Sequence, residues 1–465
     1  MPIFAPQPGD TTADRGRLAA LDYRRVLEGI PPILQAVVDS ATRKVRNPRR
    51  RKRTRKSAQS GMHLLMLISV GIFGHLTSYD KVLRPPFVPS GPRVAQPWVT
   101  ETEATFKLNT RFGRQDFIGV VQELSEVPQM LLTRPGTRGY KFPKALGIYV
   151  VMRRLSTGGR CTTWENVERE MNVPRSTLCE MYTATVAGLY LAYRLLTSTI
   201  DFRRVKPMFR DWIASMAQDG ISGTPDVCFI MDGKAWQWSK PGSGMAAEEL
   251  AAKVAAHAGQ GYNVNLVQRA YYNGNYRLHG AKVQHLLEVD GVIICYVSSV
   301  RVHDARMYRE STVEAQLSTL YVVEADGTEN PFRPIKALGD LAYPDTEHCV
   351  RQRSQAALAA IPNAANRQAA EDAQKKDQRV RGQVECSFQK VMSLNALNRD
   401  KSKFCLLNSA GVAWEYTQSI WHVEVLFANL HTCLYGSQVT GFLGVEPPTV
   451  YEYLYSANNG FMVEV

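Results

Sequence analysis

The hydrophobic pattern changes character near the middle of the chain. Up to residue 224 apolar residues recur at helical spacing, whereas beyond Pro225 they gather into short runs with β character. Asp14 to Val38 puts Leu18, Leu21, Val26, Ile30 and Leu34 on or near one helix face, although Pro31-Pro32 interrupts it. Leu64 to Phe73 predicts a buried helix, and prolines at 85, 86, 89, 92 and 97 predict a linker with a soft boundary. Helical spacing resumes at Gln115 to Leu132 and Pro143 to Leu155. Thr162 and Glu165 then have capping-box spacing for a helix running to Met171, which Asn172-Val173-Pro174 breaks. Pro174 is expected in the opening turn of a second helix, where N–H groups lack intrahelical partners anyway. Leu178, Tyr182, Val186 and Leu189 form that helix's apolar stripe. Two helices joined so tightly, over 162–190, have the layout of a helix-turn-helix, with Arg175, Ser176 and Thr177 at the exposed start of the second. An ordinary helical hairpin in a core fits the same pattern.

In the second half, Val227 to Met231 is an apolar run between Pro225 and Asp232-Gly233, which predicts a buried strand ending at a turn. Asp232 would then stand at the C-terminal edge of a sheet, where open α/β folds place their chemistry. The plain alternative is that Asp-Gly is only a turn. Tyr276 to Val289 and Val292 to Val300 predict two strands joined at Asp290-Gly291, and Ile335 to Leu338 predicts another that runs into Gly339-Asp340. Ser239 to Gln260 is an Ala-rich, Gly-punctuated insertion, and Gln352 to Gln378 is a polar connection, helical or mobile. Arg379 to Met392 and Leu406 to Leu434 are expected to be helical, ahead of a loop-like GFLGVEPPTVYEYL. There is no internal repeat.

Composition narrows the class. Apolar residues at 45% and charged residues at 21% of 465 describe an ordinary globular protein. The net charge of +13 is mostly local, because residues 43–56 hold ten Lys and Arg and the remainder carries +3. Within that arm Arg49, Arg50, Arg51, Lys52 and Arg53 predict phosphate contact with counterion release, nuclear import, or both. Eight cysteines are scattered without a CxxC pair, so neither a zinc knuckle nor a disulfide framework is implied. The N-terminus lacks the order of a signal peptide and Leu64 to Phe73 is too short to span a bilayer, so an intracellular, soluble protein away from the membrane is expected.

Candidate chemistry rests on carboxylates. Asp232 and Asp340 each follow a strand, and Glu385 lies in a helical segment with Arg381 four residues before it. Two strand aspartates and a helical glutamate can converge on a sheet edge and hold two hard divalent cations, Mg²⁺ or Mn²⁺, through oxygen. Two such ions activate an attacking hydroxyl and stabilise the leaving oxygen of a phosphodiester.

Ordered motifs extend this. MDGK, YYNGNYRLHGAKVQ (271–284), VRVHDARMYRES (300–311), LGDLAYP, RGQVECSFQK and the tail LHTCLYGSQVTGFLGVEPPTVYEYL resemble, in that order, the PIF/Harbinger-type DDE transposases and their domesticated nuclease relatives. The resemblance covers Pro225 onward and, less closely, the helix-turn-helix region. It implies an α/β, RNase H-like mixed sheet flanked by helices and preceded by a helical region containing the helix-turn-helix. The expected organisation is an N-terminal segment (1–97), a helical domain (98–224) and a DDE nuclease domain (225–465). The implied triad, both catalytic and metal-binding, is Asp232, Asp340 and Glu385. The implied reaction cuts double-stranded DNA at transposon ends with water and joins the freed 3′-hydroxyl to a target, with no cofactor beyond two Mg²⁺ or Mn²⁺ ions. His303-Asp304 matches the family's His-Asp pair, read as orienting the strand end behind the ligands, with direct metal ligation the other reading. Lys234, Arg379, Arg381 and Lys390 are candidate phosphate contacts or a solvated basic surface. A Myb-like accessory DNA-binding protein, a homo-oligomer and a nuclear location are further expectations. Two other readings stay open: a domesticated DNA-binding or scaffold protein without transposition, and a nuclease for other structured nucleic acid.

Overall fold

The computed structural model describes residues 96–125, 144–156, 164–217, 222–238, 272–273, 277–298, 302–324, 326–399 and 414–455. The segment 14–38, the basic arm, the run 64–73, most of the proline linker and the insertion 239–260 lie outside them.

Helices fill the described part of the first half, as the apolar spacing predicts. The longer ones are α1 (Glu103–Thr110), α2 (Arg114–Ser125), α3 (Lys144–Ser156), α4 (Trp164–Met171), α5 (Arg175–Tyr193) and α6 (Phe209–Ala217). Between α4 and α5 the chain reverses through Asn172 at φ +51°, a left-handed conformation that Asn tolerates better than most residues. Pro174 is the residue preceding α5, not part of its first turn, and its carbonyl accepts from Leu178 N–H at 3.0 Å. The stripe Leu178, Tyr182, Val186 and Leu189 is buried. Thr177, expected to be exposed, is buried beside that stripe, because α5 is covered on more than one side. Only Arg175 and Ser176 of the three are exposed, and Arg175 donates to Glu165 across the turn. Thr162 lies outside the described residues.

A mixed sheet organises the second half. β1 (Val227–Trp238) pairs antiparallel with β3 (Leu278–Glu288) from Phe229↔Glu288 to Trp238↔His279. β4 (Ile293–Val297) and β2 (Tyr272–Asn273) pair antiparallel with β3. On the far side of β1, β7 (Lys336–Gly339) and then β8 (Cys349–Arg351) continue the sheet in parallel. The order is β2-β3-β1-β7-β8, with β4 also on β3. A separate ribbon joins β5 (Tyr321–Val323) and β6 (Glu329–Pro334).

The turn expected at Asp232-Gly233 is not there. β1 runs straight through it, and what ends is the parallel pairing, whose last pair is Ile230↔Leu338. Val227 to Met231 has strand neighbours on both edges and is buried residue after residue, as in any strand covered on both faces. Beyond it only β3 pairs, and burial becomes irregular. The hairpin at Asp290-Gly291 forms as predicted, with Gly291 at φ +83° donating to the Glu288 carbonyl at 3.0 Å.

Both faces of the sheet are covered. On one, Phe209 and Trp212 of α6 meet the Phe229 ring edge-on. Further helices in this half include α7 (Asp304–Glu310), α8 (Ala364–Leu394), α9 (Trp414–Tyr435), α10 (Gln438–Leu443) and α11 (Val450–Tyr455). On the other face Phe388 of α8 stacks on His285 with centroids 3.9 Å apart, and Trp421 of α9 packs on Trp236 at 4.8 Å. Gln355–Ala359 forms a short helix of its own, and from Ala364 onward the polar connection and the helix expected after it are a single 31-residue helix, α8. Asn363 caps it, and Asp377 anchors it by accepting from Ser222, Gly223 and Thr224. The tail expected to be a loop, 441–454, holds the end of α10 and most of α11; Ser437 and Thr440 cap α10 reciprocally and Gly444 ends it at φ +67°. Buried side chains from α1 to α11 and from the sheet form one continuous core. Among the described residues no helix is long and apolar enough to cross a membrane.

Candidate metal centre

The parallel register sets the geometry of the candidate centre. Ile230 and Leu338 are partners on β1 and β7, so Asp232 and Asp340, each two residues further on, arrive level at the same sheet edge. Asp232 Oδ1 accepts from the Gly233 N–H at 2.8 Å. Asp340 opens a turn, its Oδ1 accepting from Ala342 N–H at 2.8 Å and its carbonyl from Tyr343 N–H at 3.2 Å.

A third carboxylate joins them from α7. Gly233 makes this possible: a Cβ there would collide with Asp304 Oδ1 and lie 2.8 Å from Lys282 Cε. Lys282 Nζ stands 2.5 Å from Asp304 Oδ1, and both side chains are largely buried. The buried Tyr343 hydroxyl senses the whole group. Burial raises its pKa first, and the charges of Asp304, Asp232 and Asp340 add to that.

Electrostatics single out Asp232. Burial pushes its carboxyl up to about 6; the Gly233 N–H and Arg381 oppose the shift, while Asp340 and Asp304 reinforce it. Arg381 Nη1 lies 3.5 Å from Asp232 Oδ2, and its Nη2 lies 3.8 Å from Glu385 Oε1 one helical turn on. The guanidinium therefore links Asp232 to Glu385 instead of facing solvent as a free phosphate contact.

The expected triad is thus brought together in part. Asp232 and Asp340 converge, with Asp304 beside them, whereas the Glu385 side chain is 59% exposed and meets the cluster through Arg381. Among the described residues no three His, Cys, Asp or Glu side chains stand in metal-holding geometry. The donor chemistry nevertheless fits hard divalent cations, since the converging groups are carboxylates and one of them is costly to ionise without added positive charge. His303 is exposed at the residue before α7, and its side chain makes no capping bond.

The other predicted contacts divide. Arg379 is exposed on α8, and Lys234 is exposed with its ammonium 5.6 Å over the Phe388 ring. Lys390 does not reach the surface as a phosphate contact; it turns inward and donates to Thr432 Oγ1 and the Gly436 carbonyl, both at 2.7 Å. Arg49 to Arg53 lie outside the described residues. Sequence reasoning missed Lys282 as a member of the cluster. Its signal was positional, since in an antiparallel pair Lys282 stands opposite Ala235, on the same sheet face as Gly233.

Compared with family models, curated proteins and solved structures, the chain matches none.

Proposed function

We propose that this chain is a metal-dependent DNA endonuclease and strand transferase of the PIF/Harbinger DDE type, acting in the nucleus on double-stranded DNA. The observation that carries the reading is the level arrival of Asp232 and Asp340 at one sheet edge, with Asp304 packed against Gly233. An RNase H-like catalytic domain accounts for the sheet, in which antiparallel strands on one side of β1 continue as parallel strands on the other. Asp232, Asp340 and Glu385 are the groups that would hold two Mg²⁺ or Mn²⁺ ions. Bound there, such ions supply activation of the attacking hydroxyl and stabilisation of the leaving oxygen of a phosphodiester.

The chain's own residues do the rest. Asp232 is fixed within the paired backbone of β1 and Asp340 by the turn that directly follows β7, so little ordering is left to the moment of reaction. Lys282 and Arg381 balance the clustered negative charge, holding the carboxylates close together. Arg379 and Lys234 are the exposed cations placed to meet phosphates near the edge, and Arg175 and Ser176 open the helix that would face DNA. A Myb-like accessory protein and a second copy of the chain belong to the same reading as partners.

One observation favours a second reading, a DNA-binding or scaffold protein that keeps the fold without cleavage. Lys282 and Arg381 already neutralise much of the acidic cluster from within. Strand transfer separates the two. Full-length protein, Mn²⁺, a linear fragment ending in the element's own termini and a target plasmid should yield joined products. DNA binding without joined products, with or without Mn²⁺, would favour the scaffold.

A further inference from the structure

Two side-chain cations reach the carboxylates at the sheet edge, and they are held differently. Arg381 stays 3.5 Å from Asp232 Oδ2 and 3.8 Å from Glu385 Oε1, long for hydrogen bonds. Lys282 Nζ stands 2.5 Å from Asp304 Oδ1, and each of these side chains is only 14% exposed. The base of the lysine is pinned too. Its N–H donates to Ser298 Oγ at 2.9 Å, and its carbonyl accepts from Ser298 N–H at 2.8 Å and from Oγ at 3.0 Å. What is left to move is the alkyl chain and its ammonium.

Asp304 thus has a strong partner already. Among the described residues Lys282 is its one ion-pair or hydrogen-bond partner, while Asp232 and Tyr343 both feel its charge. The Tyr343 hydroxyl, fully buried within reach of the same three carboxylates, has no hydrogen-bond partner among the described residues. The cluster therefore keeps polar capacity that the chain itself does not use. An ammonium and a divalent cation compete for one carboxylate, because both bind its oxygens and each repels the other.

We infer that Lys282 is an internal competitor of the divalent ions: its ammonium withholds Asp304 from them, and an ion entering beside Asp232 and Asp340 displaces it. This rests on the reading of the edge as a divalent-ion centre, and it makes Lys282 the residue that sets how tightly the centre takes up metal. A merely structural ion pair would lose stability when broken and leave ion affinity unchanged.

Binding of Mn²⁺ alone to the full chain at pH 7, read from the electron paramagnetic resonance of the free ion, tests this without DNA. Lys282→Met should bind Mn²⁺ more tightly by on the order of tenfold or more, since a unit positive charge is removed close to the site. Lys282→Gln, which keeps a donor for Asp304 but no charge, should shift the same way, with circular dichroism checking that both variants fold. A second measurement uses the parent alone and so does not depend on either variant. Saturation with Mn²⁺ should free the ammonium, and acetylation of Lys282 by an N-hydroxysuccinimide ester, read by mass spectrometry, should rise severalfold. The inference fails if both folded variants bind Mn²⁺ no more tightly than the parent, or if Mn²⁺ leaves the acetylation of Lys282 unchanged. Asp232→Asn separates this from failure of the centre itself. Should that variant bind Mn²⁺ as well as the parent does, the divalent-ion centre is wrong and the inference falls with it; should it lose Mn²⁺ while the Lys282 results fail, only the inference falls.

Discussion

Asp232 shows at the scale of one residue what the candidate site costs the fold. Its carboxyl titrates near 6 in the folded chain against 3.8 as a free side chain, with burial the main cause. A raised acid pKa contributes stability below the unfolded value, and that contribution is lost as pH rises through the folded one. In EDTA, parent and Asp232→Asn should therefore be equally stable near pH 3.5. By pH 7.5 the variant should be the more stable, by up to about 3 kcal/mol, since a tenfold change in proton affinity corresponds to about 1.4 kcal/mol. Urea unfolding at the two pH values checks this, and a variant less stable than the parent at pH 7.5 would show that Asp232 is stabilised where it stands. Lys390 and Thr177 mark the limit of reading single residues from sequence. Both lie on helices where helical period alone predicts an exposed side chain, yet α5 and α8 are covered by neighbours from distant parts of the chain.

Among elements, the β3–β4 hairpin carries more than a turn. Arg204 donates to Glu288 and Asp290 in a buried cluster that ties the segment before α6 to the hairpin end. Burial pushes the Glu288 carboxyl up and Arg204 pulls it back. Arg204→Met would strand two buried carboxylates and should cost about 3–5 kcal/mol in urea unfolding. Adding Glu288→Gln and Asp290→Asn should recover most of that; no recovery would mean Arg204 acts through packing alone. β1, the hairpin, β7, α3 and α5 were legible because apolar runs and stripes report local covering directly. The extent of β1 was not, since the change after Met231 reflects loss of a neighbouring strand, which no local pattern reveals. The split of α8 into connection and helix has a similar origin: its polar first half is held by Asp377 and a distant loop, not by an apolar stripe. In the centre, the two strand aspartates were legible from Asp following an apolar run, whereas the place of Asp304, Lys282 and Arg381 depended on contacts across the sheet.

For the whole molecule, charge and site belong to different parts of the chain. Ten of the basic residues lie in 43–56, far in sequence from the carboxylates. Replacing Arg49 to Arg53 with Gln should weaken DNA binding irrespective of sequence and flatten the plot of log affinity against log salt, its slope falling by roughly one for each phosphate no longer neutralised. An unchanged slope would leave nuclear import as the arm's role. The central claim is that the sheet edge built by β1 and β7 cleaves DNA, and nicking of supercoiled plasmid carrying the candidate ends tests it most directly. With Mn²⁺ or Mg²⁺ the parent should convert supercoiled to open-circular DNA, and EDTA should stop it. Asp232→Asn, Asp340→Asn and Glu385→Gln should each reduce the rate at least a hundredfold. Nicking by all three variants at the parent's rate would contradict the account.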